Sequence, residues 1–260
     1  MSQHIASTEF QPNRISTRLL QVDAMIDQAM TKELLPFTVG LVRNAEDLNK
    51  AVQIRHDAYA RHLPEFAQTL QAPEAEDAED GVVVLLAESK LDGSPLGTMR
   101  IQTNQFKPLC LEQSVTLPDW LKALPLAEAT RLGVANGKVG RLVTTVLFKA
   151  YFQYCQQAGI EWMVVTARAP IDRTYERLMF DDVYPGAGFI PIHHVGNLPH
   201  RVMSFNVDTA KARWTTANHP LLDFMCSINH PDIKLEPRRE LRDLPRSRSA
   251  FPEQSAMQPM

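Results

Sequence analysis

Cysteine is scarce in this 260-residue sequence, which contains only Cys110, Cys155 and Cys226. The three lie far apart and match neither a framework of paired disulfides nor the short ligand spacing of a zinc site. Such a chain falls outside the class of small disulfide-bonded domains. We therefore expect three reduced thiols and no bound metal.

Long apolar runs are also missing. No segment approaches the roughly 18 uninterrupted apolar residues of a membrane-spanning helix, and the polar start Met1-Ser2-Gln3-His4 does not resemble a secretory signal. We expect a cytoplasmic protein with no transmembrane segment. With 44% hydrophobic residues, the composition is that of a globular chain that can form one sizeable domain with appendages.

Positive charge is not in excess, since 27 lysines and arginines face 30 acidic residues and the formal net charge is −3. A protein that binds the phosphate backbone of nucleic acid needs a basic surface. We therefore expect no nucleic-acid partner.

Familiar catalytic signatures are absent from the sequence. It has no His-Glu-x-x-His zinc motif, no Gly-x-Ser-x-Gly elbow and no Walker loop. His193 and His194 are adjacent and would point to opposite faces of a strand. We expect them to be a structural or solvent-facing pair and not metal ligands.

Apolar periodicity divides the chain into a main domain with extensions on both sides. One helix is predicted within residues 19–30, and the arginine- and proline-rich stretch from residue 237 predicts a disordered tail. The expected units are an N-terminal extension at 1–36, the main domain at 37–210, a C-terminal helical extension at 211–236 and the tail at 237–260.

The main domain combines seven predicted strands with several helices. Strands are predicted at 37–42, 82–87, 96–102, 127–134, 162–167, 188–192 and 202–207. Helices are predicted from Asn44 onward and at 61–70, 142–159, 171–180 and 219–228. This pattern indicates an α/β (α+β) fold with a mixed central sheet of about seven strands flanked by helices.

One predicted helical stripe carries an unexpected charge. Leu48, Val52, Arg55 and Tyr59 recur at intervals of four, three and four residues, so Arg55 points where a core residue should lie. Either its guanidinium meets an anion, or its stem packs while its head reaches water.

Residues 74–80 contain five acids in seven positions. Such a run is usually a solvated loop. It directly precedes the strand at 82–87, however, so Asp77 and Asp80 lie at the mouth of that strand. Acids at this place can hold a cationic group of a substrate or pair with Arg55 or Arg100.

The stretch 127–159 organises the rest of the chain. A strand with Glu128 and Arg131 runs into a basic loop with two glycines and then into a long helix. This order can place backbone N–H groups around an anion, so we expect a phosphate-bearing substrate. In a regular strand Glu128 and Arg131 would face opposite sides, whereas a β-bulge would turn both toward one cleft.

The segment 175–180, Tyr-Glu-Arg-Leu-Met-Phe, resembles the Tyr-Glu-Lys-Leu-Gly-Phe signature of the GCN5-related N-acetyltransferase fold. In that fold a helix tyrosine often acts as general acid toward the leaving thiolate, which implies this role for Tyr175. Met179 stands where the signature has glycine, and Gly188-Phe189 is a competing match.

Four more pairs occur in a meaningful order, namely Arg55 and Tyr59, Asp77 and Asp80, Gly97 and Arg100, and Glu128 and Arg131. This order resembles a branch of the same fold, the acyl-homoserine-lactone synthases and the long-chain N-acyl amino acid synthases. The resemblance extends over about residues 37–207.

This sequence departs from the patterns of these related enzymes at three places. Tyr59 replaces the usual phenylalanine, no tryptophan occurs between Tyr59 and Asp77, and the loop has only Gly137 and Gly140 of the coenzyme-A pyrophosphate signature. These differences weaken the resemblance to lactone synthases and acetyltransferases. They leave the N-acyl amino acid synthases, which take acyl chains from acyl carrier protein.

The resemblance implies an N-acyltransferase that moves a long-chain acyl group to the amine of an amino acid. The donor would be the phosphopantetheine thioester of acyl carrier protein, or acyl-coenzyme A, and no cofactor would be tightly bound. Its pantetheine arm would enter between the strands 127–134 and 162–167, which splay apart in this fold. The implied phosphopantetheine-binding residues are Val134, Gly137, Lys138, Gly140 and Arg141.

The implied chemistry assigns a role to each site residue. An ammonium group must lose a proton before it attacks a thioester, and Glu128 is the expected base, directly or through water. The alternative is that Glu128 only orients Arg131 in an ion pair. The expected substrate-binding residues are Arg55, Tyr59, Asp77, Asp80, Arg100 and Arg131, and any of the arginines suits the carboxylate of the acceptor.

Two other functions are compatible with the same residues. One is an acyltransferase of the lactone-synthase type or of the kind found with exosortase systems, which gene neighbourhood would reveal. The other is a non-catalytic module that binds an acyl chain or a carrier protein and regulates another protein. Acylation of any amine would exclude that module.

Overall fold

The structure, a computed structural model, describes residues 31–236. Its strands are β1 (Thr31–Lys32), β2 (Phe37–Leu41), β3 (Val82–Ser89), β4 (Pro95–Thr103), β5 (Leu126–Val134), β6 (Trp162–Ala167), β7 (Asp181–Asp182), β8 (Ile190–Ile192), β9 (Leu198–Asn206), β10 (Ile228–Asn229) and β11 (Ile233–Lys234). Its helices are α1 (Ala45–Ala60), α2 (Pro64–Ala67), α3 (Asp119–Lys122), α4 (Gly137–Ala158), α5 (Asp172–Arg177), α6 (Ala210–Thr216) and α7 (Leu222–Cys226). The helix predicted within 19–30 and the predicted tail lie outside the described residues.

A mixed nine-stranded sheet forms the centre of the molecule. Its order is β11-β2-β3-β4-β5-β6-β9-β7, and β8 pairs with β9 beside this path. All seven predicted strands are present, and the two additional strands of this sheet, β7 and β11, have two residues each. The predicted α/β class with a mixed central sheet is therefore confirmed.

The sheet opens in its middle. Strands β2 to β5 form an antiparallel meander, and β6 then runs parallel to β5. Pairing between β5 and β6 ends at Ala129 and Val165, although both strands continue beyond these residues. The predicted splay of these two strands is therefore present.

Helices α1 and α4 cover opposite faces of the sheet. A β-carbon at Gly97 would lie 2.5 Å from a side-chain atom of Val143 on α4, whereas one at Gly133 would lie 3.0 Å from the Cα atom of Arg55 on α1. Gly133 pairs with Thr98, the residue after Gly97, and successive residues of a strand face opposite sides. Both helices approach so closely because glycine stands at the contact.

The helix ends partly follow the sequence signals. Helix α1 begins after Asn44, whose side chain accepts the N–H of Asp47 at 2.9 Å, as predicted. Helix α4 ends at Ala158, one residue before the predicted end, and is capped by Gly159 in the left-handed conformation. It begins at Gly137, five residues before the predicted start at 142. Most of the predicted loop is thus the first turn of α4, since Asn136 caps the helix.

Two predicted helices are shorter in the structure. The helix predicted at 171–180 ends at Arg177 because Met179 adopts a left-handed backbone with φ of 70°. The helix predicted at 219–228 is reduced to Leu222–Cys226. The predicted C-terminal helical extension also supplies β11 to the main sheet, where it pairs with β2.

Among residues 31–236 no helix has the length and apolarity needed to cross a membrane.

Candidate functional site

A cavity of about 590 Å³ lies where β5 and β6 part. It is bounded by the end of α1, the distal half of β5, the residues that follow β6, α5 and the short turn His193–Val195. Its size is that of a small-molecule binding site. The gap in the sheet is therefore a candidate site for ligand binding.

Strand β5 contains a β-bulge between Glu128 and the end of the strand, as the spacing of Glu128 and Arg131 suggested. The register between β4 and β5 shifts between Thr98 and Arg100, so Arg131 and Leu132 together oppose one residue of β4. Arg131 has a φ of 55°, a left-handed conformation that is uncommon outside glycine. The extra residue lets Arg131 reach Glu74, the carboxylate that Arg100 also contacts.

Glu128 lies behind the cavity wall. Its side chain is fully buried, and its Oε2 atom accepts the backbone N–H of Leu111 at 3.1 Å. Its Oε1 atom lies 3.8 Å from Nε2 of His194, which lines the cavity. The prediction that Glu128 itself lines the cleft is therefore wrong, since His194 stands between them. The alternative ion pair with Arg131 is wrong too, because the carboxylate partner of Arg131 is Glu74.

The Glu128–His194 pair has an unusual protonation. Burial raises the pKa of Glu128 to about 7, against the Leu111 hydrogen bond and the positive charge of Arg100. Burial and the charges of Arg131 and Arg100 lower the pKa of His194 to about 3. Near neutral pH a partly ionised carboxyl thus lies beside a neutral imidazole. Within residues 31–236, Oε1 of Glu128 and both ring nitrogens of His194 lack hydrogen-bond partners.

Three arginines converge on two carboxylates of the acidic run. Arg55 donates to both oxygens of Asp77 at 2.9 Å and to Glu74 at 3.0 Å. Arg131 holds Glu74 by a two-pronged contact at 2.7 and 2.6 Å, and Arg100 makes longer contacts with both acids. Burial favours the neutral acids, but the arginines hold the pKa of Glu74 and of Asp77 below its ordinary value.

This arginine cluster decides several sequence predictions. Arg55 is buried and contacts Glu74 and Asp77, so the alternative that its guanidinium reaches water is wrong. The prediction that the acidic run is a solvated loop is also wrong for these two acids. Only Tyr59 and Arg131 of the expected substrate-binding residues line the cavity, whereas Arg55 and Arg100 are buried behind it. Asp80 is exposed, does not line the cavity and forms no ion pair with any described residue, so its predicted pairing with Arg55 or Arg100 is wrong.

The start of α4 lies beside the cavity. Val134 lines the cavity, while Gly137, Lys138 and Arg141 are exposed in the first turn of the helix. A β-carbon at Gly140 would lie 1.8 Å from the carbonyl oxygen of Ala135. This turn is therefore tight and carries two cations, which suits a phosphate.

Tyr175 lines the cavity from α5. Its ring packs edge to face on Phe148, with 4.9 Å between the ring centres, and burial raises its pKa well above the ordinary value. Its hydroxyl stays protonated near neutral pH. Met179, four residues later, adopts the left-handed backbone that glycine adopts most easily. In the competing match, Phe189 is exposed.

His194 and Arg168 are among the cavity residues that the sequence did not predict for the site. The sequence predicts His193 and His194 on opposite faces of a strand, but both lie in a short turn, where His193 is exposed and His194 faces Glu128. Arg168 directly follows β6, and a basic residue at the end of a buried strand was an available signal.

Among the described residues no three histidine, cysteine or acidic side chains are grouped to hold a metal ion.

No protein-family model matches the chain, and no curated protein matches its sequence. Solved structures do match. FeeM, an N-acyl amino acid synthase from uncultured soil microbes, superimposes with a TM-score of 0.55 at 16% identity over 73% of this chain and 97% of FeeM. The chain has the GCN5-related N-acetyltransferase fold. BjaI, a coenzyme-A-dependent acyl-homoserine lactone synthase, matches with a TM-score of 0.50 at 16% identity, covering 78% of this chain and 95% of BjaI.

Proposed function

We propose that this chain is an N-acyltransferase that moves a long-chain acyl group from acyl carrier protein to the amine of an amino acid. The observation that carries the proposal is the cavity at the gap between β5 and β6, which the Glu128–His194 pair borders. A buried carboxyl with a pKa near 7 is suited to take a proton at neutral pH. BjaI, which has a similar fold, is a coenzyme-A-dependent synthase, and this supports an acyl donor carried on a thiol.

The proton path runs through His194. Its Nδ1 atom accepts a proton from the acceptor ammonium while Nε2–H donates to Oε1 of Glu128, so the proton ends on the carboxylate. The 3.8 Å separation of Nε2 and Oε1 is long for a hydrogen bond and would have to shorten when substrate binds. The free amine then attacks the thioester carbon, the carbon–sulfur bond breaks, and the second proton lost from nitrogen ends on the thiol. Tyr175 donates a hydrogen bond to that sulfur.

The donor would be held at the start of α4. Its phosphate would meet Lys138 and Arg141 in the first turn, where helix N–H groups also favour an anion. Val139 and Leu142 are exposed beside these cations, at 48% and 41%. Basic and apolar side chains together suit docking of an acidic carrier protein better than free coenzyme A.

The proposal is tested by incubating the purified chain with acyl-loaded acyl carrier protein and a mixture of amino acids, with mass spectrometry of the products. We expect an N-acyl amino acid and free carrier thiol in equal amounts. His194→Ala should lower kcat by about 100-fold or more, because general base catalysis contributes that much. His193→Ala, one residue away and exposed, is the matched control and should keep the wild-type rate.

Two results would contradict the proposal. If the wild-type chain acylates no amino acid but binds acyl carrier protein, the non-catalytic module is the better interpretation. If His194→Ala retains the full rate while the wild type is active, the proton path through His194 is wrong.

A further inference from the structure

The charges that line the cavity are one-sided. The described lining residues include Arg61, Arg131, Arg168 and Arg177, and no aspartate or glutamate is among them. A concave site with cations and no acid on its wall attracts an anion. A guanidinium group can bind this anion only if it is not already engaged with other groups of the protein.

Three of these arginines are already engaged. Arg131 is held by Glu74 at 2.7 and 2.6 Å. Arg61 is exposed and donates to the backbone carbonyls of Asp57 and Val134. Arg177 is exposed and donates to Arg173 and Thr174 of its own helix.

Arg168 differs from the other three. It is half-buried at the end of β6, and its Nη1 atom is shielded from solvent with no hydrogen-bond partner in residues 31–236. The nearby carboxylate of Asp172 contacts Arg201 at 3.4 Å instead. A guanidinium with one shielded nitrogen and no counter-charge among the described residues is costly, and an anionic ligand would offset that cost.

Arg168 also lies on the side of the cavity where the reaction is proposed to occur. Burial is the main cause that lowers the pKa of His200, and the positive charge of Arg168 lowers it further. His200 in turn lowers the pKa of His194. All three residues line the same cavity. A small acceptor can therefore place its amine near His194 and an acidic group near Arg168.

We propose that Arg168 binds the carboxylate of the amine acceptor and thereby makes this chain select anionic acceptors. This assignment rests on the proposed acyltransferase function. It replaces Arg55, Arg100 and Arg131, whose charges are already paired. A guanidinium binds a carboxylate through two parallel hydrogen bonds, which would also orient the amine.

A binding experiment tests the site without requiring turnover. The probes are N-dodecanoylglycine and its primary amide, which differ only in the acidic group, and calorimetry measures both dissociation constants. Wild type should bind the carboxylate at least about 30-fold more tightly, because a hydrogen-bonded charge pair is lost with the amide. Arg168→Gln should bind both probes equally, and Arg168→Lys should retain part of the preference.

Arg177→Gln is the matched control, since it removes an arginine of the same cavity that is tied to its own helix. It should keep the wild-type preference. The proposal is overturned if wild type does not discriminate or binds neither probe, if Arg168→Gln still discriminates, or if Arg177→Gln loses discrimination equally. Melting temperatures of all variants would show that they are folded.

A kinetic experiment separates the acceptor from the donor as the source of the anion. Arg168→Gln should raise KM for the amino acid and leave KM for the acyl donor unchanged. A rise in the donor KM alone would assign Arg168 to the phosphate of the pantetheine arm and overturn the proposal. If no acceptor is acylated, the proposed function fails, and the binding experiment still decides whether Arg168 is a carboxylate site.

Discussion

At the scale of single residues, the ionisation of Glu128 predicts how activity depends on pH. The carboxyl must be unprotonated to accept the ammonium proton, and burial raises its pKa to about 7. We expect kcat/KM to rise tenfold per pH unit below about pH 7 and to level above it, in single-turnover assays. Glu128→Gln should abolish this pH dependence of kcat/KM and most of the activity.

The same shift predicts a change in folding stability. The folded chain keeps the Glu128 proton between pH 4.5 and about 7, whereas the unfolded chain releases it near 4.5. The stabilisation is complete below the unfolded value and is lost as the pH rises through the folded one. In chemical denaturation, the free energy of unfolding of Glu128→Gln should not show this decrease with rising pH. Glu65→Gln, at an exposed position, should still show it. Parallel pH curves for both variants would contradict the assignment.

At the scale of elements, the turn from β5 into α4 depends on one glycine. A β-carbon at Gly140 would collide with the carbonyl oxygen of Ala135, so Gly140→Ala must open the turn. We expect a loss of about 2–3 kcal/mol in denaturant unfolding and a higher donor KM. Gly137→Ala is the comparison, since its φ of 81° is strained but no atom lies within 4 Å of the added carbon. It should cost about 1 kcal/mol, and equal losses for both would contradict the steric explanation.

Local signals in the sequence were sufficient for most elements. Asn44 and Gly159 marked helix ends, and the apolar run Trp162–Ala167 has the same bounds in the structure as in the prediction. The start of α4 was missed because glycine is a poor helix former, so Gly137 and Gly140 predicted a loop. Here the cap at Asn136 and the packing of the turn outweigh intrinsic propensity.

At the scale of the whole molecule, the arginine cluster joins α1 and the sheet to the acidic turn before β3. Asp77 is the buried partner of Arg55, whereas Asp80, three residues later, is exposed. Asp77→Asn should lower the free energy of unfolding by about 3–5 kcal/mol, because it leaves a buried guanidinium with less counter-charge. Asp80→Asn should change it by less than about 0.5 kcal/mol in the same urea titration. A small effect of Asp77→Asn would show that Glu74 alone compensates the cluster.

The site was harder to predict than the fold, because its residues meet only through long-range packing. The spacing of Glu128 and Arg131 suggested the bulge, and two of the four motif pairs lie on the neighbouring strands β4 and β5. His194 faces Glu128 only because the turn after β8 folds over β5, and no local pattern announces that contact. The pairing of Arg131 with Glu74 likewise joins segments that are distant in the sequence.

The parting of β5 and β6 leaves an interior row of peptide groups. Beyond Ala129, no described strand pairs with β5 on the side that faces β6. Open sheet edges normally recruit foreign strands and promote aggregation, but this one lines the cavity between β5 and β6. On the proposed function, the amides of the pantetheine arm could line up there as a temporary strand. The sheet would then be complete only while the donor is bound.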